Sequence, residues 1–151
     1  MNPIVLASES PRRKQLLEML HIPFRVIPPD VDEHVLPGEE PGHYVTRLSR
    51  AKAEAVVRRA PGDVILAADT TVVLGGAIFE KPTSPAHAME MLSRLQGQTH
   101  EVMTAVAVAR DGDVEQALDV SRVTFRPADR ATLEAYVATG EPMDKAGAYA
   151  I

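Results

Sequence analysis

Short unbroken apolar runs alternate along this chain with longer stretches of helical period, the pattern of a fold in which strands and helices follow one another. Ile4, Val5 and Leu6 make the first run, and Leu16, Leu17 and Leu20 then predict an amphipathic helix that opens with Ser10 as N-cap and Pro11 at its first position. Residues 24–27 read as a second short strand closed by Pro28 and Pro29. From Pro41 to Ala60 the period is helical, with Tyr44, Val45, Leu48, Ala55 and Val56 on one stripe. Residues 64–68 are continuously apolar, which suits a strand buried on both faces, and this strand is expected to end at Asp69-Thr70.

The second half carries turn chemistry. Gly75-Gly76 splits residues 71–79 into a hairpin, and Asp111-Gly112 joins two long strands over 99–110 and 114–125. Between them lies a helix from Pro85 to Leu95 with Ala88, Met91, Leu92 and Leu95 inward and Gly97 as its stop. Asp129 caps a helix over 130–138 that Gly140 ends, and residues 141–151 read as the start of something extended. No internal repeat or linker interrupts the pattern, so one α/β domain over 1–151 with a hairpin-rich second half is expected.

Charge changes the picture at one place. Arg12, Arg13 and Lys14 occupy the first turn of the first helix, where orphan N–H groups and the positive end of the dipole disfavour cations. A phosphate would satisfy both the N–H groups and the guanidinium forks; a solvated basic turn pairing with Glu9 or Glu18 is the bland alternative. Thr83-Ser84-Pro85 starts another helix with the same Ser-Pro cap and no basic cluster, so capping alone does not account for the arginines. The net charge of −5 argues against broad coating of nucleic acid, leaving a local pocket for any polyanion. With no cysteine there is no disulfide, thiolate nucleophile or cysteine-bound zinc, and with neither a leader nor a long apolar run a cytoplasmic protein off the membrane is expected.

Four further places carry chemistry. Lys52 falls on the inward stripe of its helix and must snorkel or find an anion. Asp69, past an apolar strand, is placed where open α/β sheets hold ligands, although an Asp that caps a turn would look the same. The acidic loop 30–34 is either solvated or offers a carboxylate to a hard divalent cation. The hairpin return delivers Lys81 after Glu80, which a surface pair would also explain. Neither Gly-x-x-x-x-Gly-Lys-Ser/Thr nor Gly-x-Gly-x-x-Gly occurs, and the five histidines lack His-Glu-x-x-His spacing, so P-loop, dinucleotide and zinc-hydrolase chemistries are unsupported.

Leu6-Ala7-Ser8-Glu9-Ser10-Pro11-Arg12-Arg13, Ala68-Asp69-Thr70, Glu80-Lys81-Pro82, Gly97-Gln98-Thr99-His100 and Asp144-Lys145-Ala146-Gly147-Ala148-Tyr149, in that order, resemble the Maf family of nucleotide pyrophosphatases. The resemblance implies an α/β fold like that of the inosine-triphosphate pyrophosphatases, a mixed twisted sheet flanked by helices. It implies hydrolysis of a nucleoside triphosphate to the monophosphate and pyrophosphate, with Mg2+ or Mn2+ as cofactor. Carried over, Asp69 resembles the proton acceptor and shares the metal with Glu33. Lys52 and Lys81 resemble catalytic cations, and Ser8, Arg12, Arg13 and Thr70 the substrate-binding set. Arg12 and Thr70 look like the branch acting on dTTP and UTP rather than the sister branch acting on 7-methyl-GTP. The family pattern continues after Tyr149-Ala150-Ile151 with a Gln-Gly pair, so a C-terminal part and the base-reading Gln are expected to be missing. A non-catalytic nucleotide-binding regulator of cell division is the competing reading, and a homodimer stays open.

Overall fold

The computed structural model describes residues 3–150. In chain order it contains β1 (Ile4–Leu6), α1 (Pro11–Met19), β2 (Phe24–Val26), α2 (Pro41–Val57), β3 (Ile65–Leu74), β4 (Ala77–Phe79), α3 (Pro85–Leu95), β5 (Thr99–Arg110), β6 (Asp113–Thr124) and α4 (Arg130–Ala138), followed by two 3₁₀ turns, Glu141–Asp144 and Ala146–Ala148. Strands hydrogen-bond in the order β2-β1-β3-β5-β6, with β4 on β3. β1 runs parallel to β2 and β3, whereas β4 is antiparallel to β3. The sheet is therefore mixed and the class α/β, as expected.

The chain divides into two compact units, 1–69 with 104–119, and 70–103 with 120–151. The first is built on Val5 and Ala7, Ala53 and Val56 of α2, Ile65 and Ala67 of β3, and Ala107 and Ala109 of β5. Along β3 the two-residue period puts Ile65, Ala67 and Asp69 on one buried face. Leu48, Lys52 and Val56, four residues apart on α2, are buried as well. In the second unit Val72, Phe79, Met91, Leu92, Leu95, Leu133 and Val137 pack into a separate cluster under α3 and α4. Pairing of Leu74 with Ala77 leaves Gly75 and Gly76 as the hairpin loop, both at positive φ, 56° and 80°, as a two-residue turn demands. Ser84 and Asp129 cap α3 and α4 through the backbone N–H groups of His87 and Thr132.

Three expectations are corrected. β3 does not end at Asp69. It runs on to Leu74, because Ile65 and Leu66 are paired with β1 and Val72 to Leu74 with β4, so the carboxylate lies in mid-strand. The apolar stripe of α1 does not face inward: only Leu17 is buried, while Leu16, Met19 and Leu20 are 58%, 74% and 66% exposed. The inward face is the one four residues wide from Arg13 to Leu17, and the arginine has a partner there. Finally, residues 141–148 are turned rather than extended: Pro142 sits early in the first 3₁₀ turn, and Gly147 and Ala148 both have positive φ. Ile151 lies outside the described residues. Among the described residues, no helix is long and apolar enough to cross a membrane.

Leu48 is fully buried on the helix that carries Lys52. Leu48→Ala is expected to cost about 2–5 kcal/mol through lost burial and the cavity left behind, read as a lower urea midpoint at unchanged slope.

Candidate active site

The site in the first unit begins at the N-terminus of α1. Ser10 caps the helix by accepting the Arg13 N–H at 3.4 Å, and Ser8 Oγ accepts the Ser10 N–H at 3.1 Å. The same Ser8 oxygen lies 3.4 Å from Arg13 Nη1, which donates to the Ala68 carbonyl at 3.0 Å. The loop thus turns one arginine of the basic cluster onto β3 beside Asp69. Burial lowers the Arg13 pKa, and the Asp69 carboxylate works against that loss. Arg12 stays exposed in the same turn.

Lys52 ends against β3. Its ammonium lies 2.8 Å from Asp69 Oδ1 and 2.7 Å from Glu33 Oε1, so one cation is shared between two carboxylates. Lys52 and Asp69 are only 8% and 7% exposed, whereas the Glu33 side chain is half-exposed at the mouth. Removing a lysine and an aspartate from water costs several kcal/mol each, which close pairing must offset. The Asp69 pKa is raised, first by burial and then by the neighbouring Glu33 charge, while Lys52 and Arg13 hold it down.

The loop carrying Glu33 has no regular structure and is pinned to α2. Tyr44 Oη donates to the Glu33 carbonyl at 2.6 Å, and Arg47 Nη2 donates to the His34 carbonyl at 3.1 Å. Arg47 also grips Glu39 bidentately at 2.6 and 2.8 Å, and Glu39 accepts the Leu36 N–H. That fork pulls the Glu39 pKa down to about 2. Neither Tyr44 nor Arg47 stands out as a site residue in the sequence. The available signal was a tyrosine on a buried stripe, whose hydroxyl needs a partner.

The structure thus brings Ser8, Arg13, Glu33, Lys52 and Asp69 together within the first unit. Thr70 and Lys81 belong to the second: Thr70 is half-buried in β3, and Lys81 is exposed in the loop after β4. Among the described residues no group of three or more His, Asp or Glu side chains is arranged to hold a metal ion. The donors available to a cation are therefore the two carboxylates that already share one ammonium, both offering oxygen.

A buried lysine–aspartate pair on an α/β sheet, beside an arginine at a helix N-terminus, is the kind of site that handles phosphate. Residues 3–151 match the family model described as Maf-like protein, and the chain belongs to the Maf family. It is 51% identical to the dTTP/UTP pyrophosphatase of Pectobacterium atrosepticum, over the whole of this chain and 77% of that protein. Against the proteins of the same name from Yersinia pestis and Symbiobacterium thermophilum the identities are 50% and 47%, again over the whole of this chain and 77% and 78% of theirs.

Two outcomes follow. Because Lys52 holds the Asp69 pKa down, Lys52→Met is expected to raise it further, seen as an upward-shifted carboxyl 13C titration of Asp69. Because Glu39 is depressed from 4.5 to about 2, its contribution to stability is complete above the unfolded value and lost as pH falls through about 2. Glu39→Gln should flatten the stability profile between those values.

Proposed function

We propose that this chain hydrolyses pyrimidine nucleoside triphosphates, dTTP and UTP, to the monophosphate and pyrophosphate. The observation that carries the reading is the buried Asp69 on a shared lysine, in a chain about half identical along its length to proteins named for that activity. Water attacks the α-phosphorus, the bond to the bridging oxygen breaks, and the departing pyrophosphate takes the electron pair. Asp69 accepts the proton of that water, since burial raises its pKa, which suits a base, and Lys52 Nζ lies 2.8 Å from its carboxylate.

Arg13 and Lys52 supply positive charge for the triphosphate, with Ser8 and the first-turn N–H groups of α1 as further donors. Arg12, Thr70 and Lys81 are assigned to the substrate by the family motifs they occupy, not by geometry. Glu33 and Asp69 would hold a divalent cation: both present oxygen, both already lie on one cation, and one or two carboxylates plus substrate phosphates suffice for Mg2+ or Mn2+. When bound, the ion would neutralise phosphate charge and acidify a bound water. The proposed partner is thus a small triphosphate in the cytoplasm rather than a nucleic-acid polymer. A regulator that only binds nucleotide would have no use for a carboxylate held in this balance.

Asp69→Asn is expected to lower kcat by about 10²–10⁴ with nucleotide binding largely retained. Product analysis should find pyrophosphate; release of orthophosphate would contradict the bond assignment, and undiminished turnover in the folded variant would remove Asp69 from the chemistry.

A further inference from the structure

In the second unit, the 3₁₀ turn Ala146–Ala148 is strained and heavily tied. Gly147 has φ 70° and Ala148, a residue with a side chain, φ 64°. Gly147 takes this conformation freely, but Ala148 there costs energy and persists only where its surroundings impose it, an arrangement that points to function. Here the surroundings are explicit. The Ala148 N–H donates to the Lys145 carbonyl at 3.0 Å, and the Ala150 N–H to Tyr136 Oη at 3.1 Å. Lys145 itself is spent on the Glu141 carbonyl and Asp144, so it serves the turn rather than a ligand. Tyr149 Oη lies 2.6 Å from His100 Nε2, and the rings of His100, Phe125 and Tyr149 meet edge to face in a closed triangle.

His100 is 2% exposed, and its Nδ1 has no hydrogen-bond partner. A buried polar atom left unsatisfied costs roughly 1–3 kcal/mol, so a histidine is a poor choice for packing alone. What it uniquely supplies at this place is a polar atom for the Tyr149 hydroxyl. The turn so held touches one other segment by a backbone hydrogen bond: the Gly147 N–H donates to the Glu80 carbonyl at 3.3 Å, immediately before Lys81. A Cβ on Gly147 would stand 2.7, 2.9 and 3.0 Å from side-chain atoms of Val72. The close approach that brings this N–H to Glu80 therefore requires glycine, for space as well as for φ.

We propose that Gly147, Tyr149 and His100 are positioning residues for Lys81: the pinned turn fixes the Glu80 carbonyl and, through it, the backbone from which the Lys81 ammonium reaches substrate phosphate. This rests on the reading of Lys81 as a phosphate-binding residue. It accounts for three separate stretches, 80–82, 97–100 and 144–149, as one device: a lysine, the histidine that anchors the clamp, and the clamp itself. Lys81 lies on an exposed loop and makes no ion pair among the described residues, so its placement depends on its backbone.

The test is a double-mutant cycle on the intact chain, with binding of inorganic tripolyphosphate measured by titration calorimetry. Gly147→Ala and Tyr149→Phe are each expected to weaken binding by about tenfold when Lys81 is present and less than twofold in the Lys81→Met background. Tyr149→Phe keeps the ring triangle and loses only the hydroxyl, so it stands in should Gly147→Ala fail to fold. Equal losses in both backgrounds, or no loss in the first, would overturn the positioning role while leaving Lys81 as a ligand. Undiminished binding by Lys81→Met alone would overturn the reading of Lys81 and this proposal with it.

Discussion

One ammonium between two carboxylates governs the first unit. Lys52 is carried on a helix whose other inward residues are apolar, and it reaches a strand whose other inward residues are Ile65 and Ala67. In such surroundings a charge without a partner is costly. Lys52 Nζ lies 2.8 Å from Asp69 and 2.7 Å from Glu33, and Arg13 beside Asp69 supplies a second cation for the second carboxylate. The consequence is a buried carboxylate whose proton affinity is set by opposed effects: burial and Glu33 raise it, Lys52 and Arg13 lower it. Bringing a polyanion to this cluster would add negative charge beside Asp69 and so would couple anion binding to the protonation of that carboxylate.

The supports of the site follow a common design. Each candidate side chain is held by neighbours: Ser8 and the Ala68 carbonyl for Arg13, Tyr44 and Arg47 for the Glu33 loop. Arg47 is instructive because its charge is spent entirely on structure, against Glu39 and the His34 carbonyl. A basic residue near a candidate site is therefore no guide to ligand contact until its fork is traced. The same holds for Lys145 in the second unit, which closes on Glu141 and Asp144.

Much of the fold was legible in the residue pattern because local rules set it. The apolar runs at 4–6 and 64–68 fell in β1 and at the start of β3. Ser-Pro and Asp caps marked the starts of α1, α3 and α4, and Gly75-Gly76 and Asp111-Gly112 became the hairpin turns. Lys52 on an apolar stripe signalled a buried cation, and it is one. Where the pattern misled, a non-local partner had overridden it. Leu16 and Leu20 suggested an inward face for α1, but Arg13 has hydrogen bonds to gain there and the leucines do not. Asp69 suggested a strand end, but β4 pairs just beyond it and carries the strand through.

The sequence by itself determined the alternation of elements, the caps and turns, the family to which the chain belongs, and the residues with chemistry to offer, because each depends on neighbours a few positions away or on motifs read in order. Tertiary structure alone decided that Lys52 answers both Asp69 and Glu33, that Tyr44 and Arg47 hold the acidic loop, and that the closing motif is a strained turn clamped through Tyr149 to His100. Those contacts join residues 11 to 49 positions apart. Such meetings are settled by packing and by the cost of leaving a buried charge or donor unpaired, which no local pattern records.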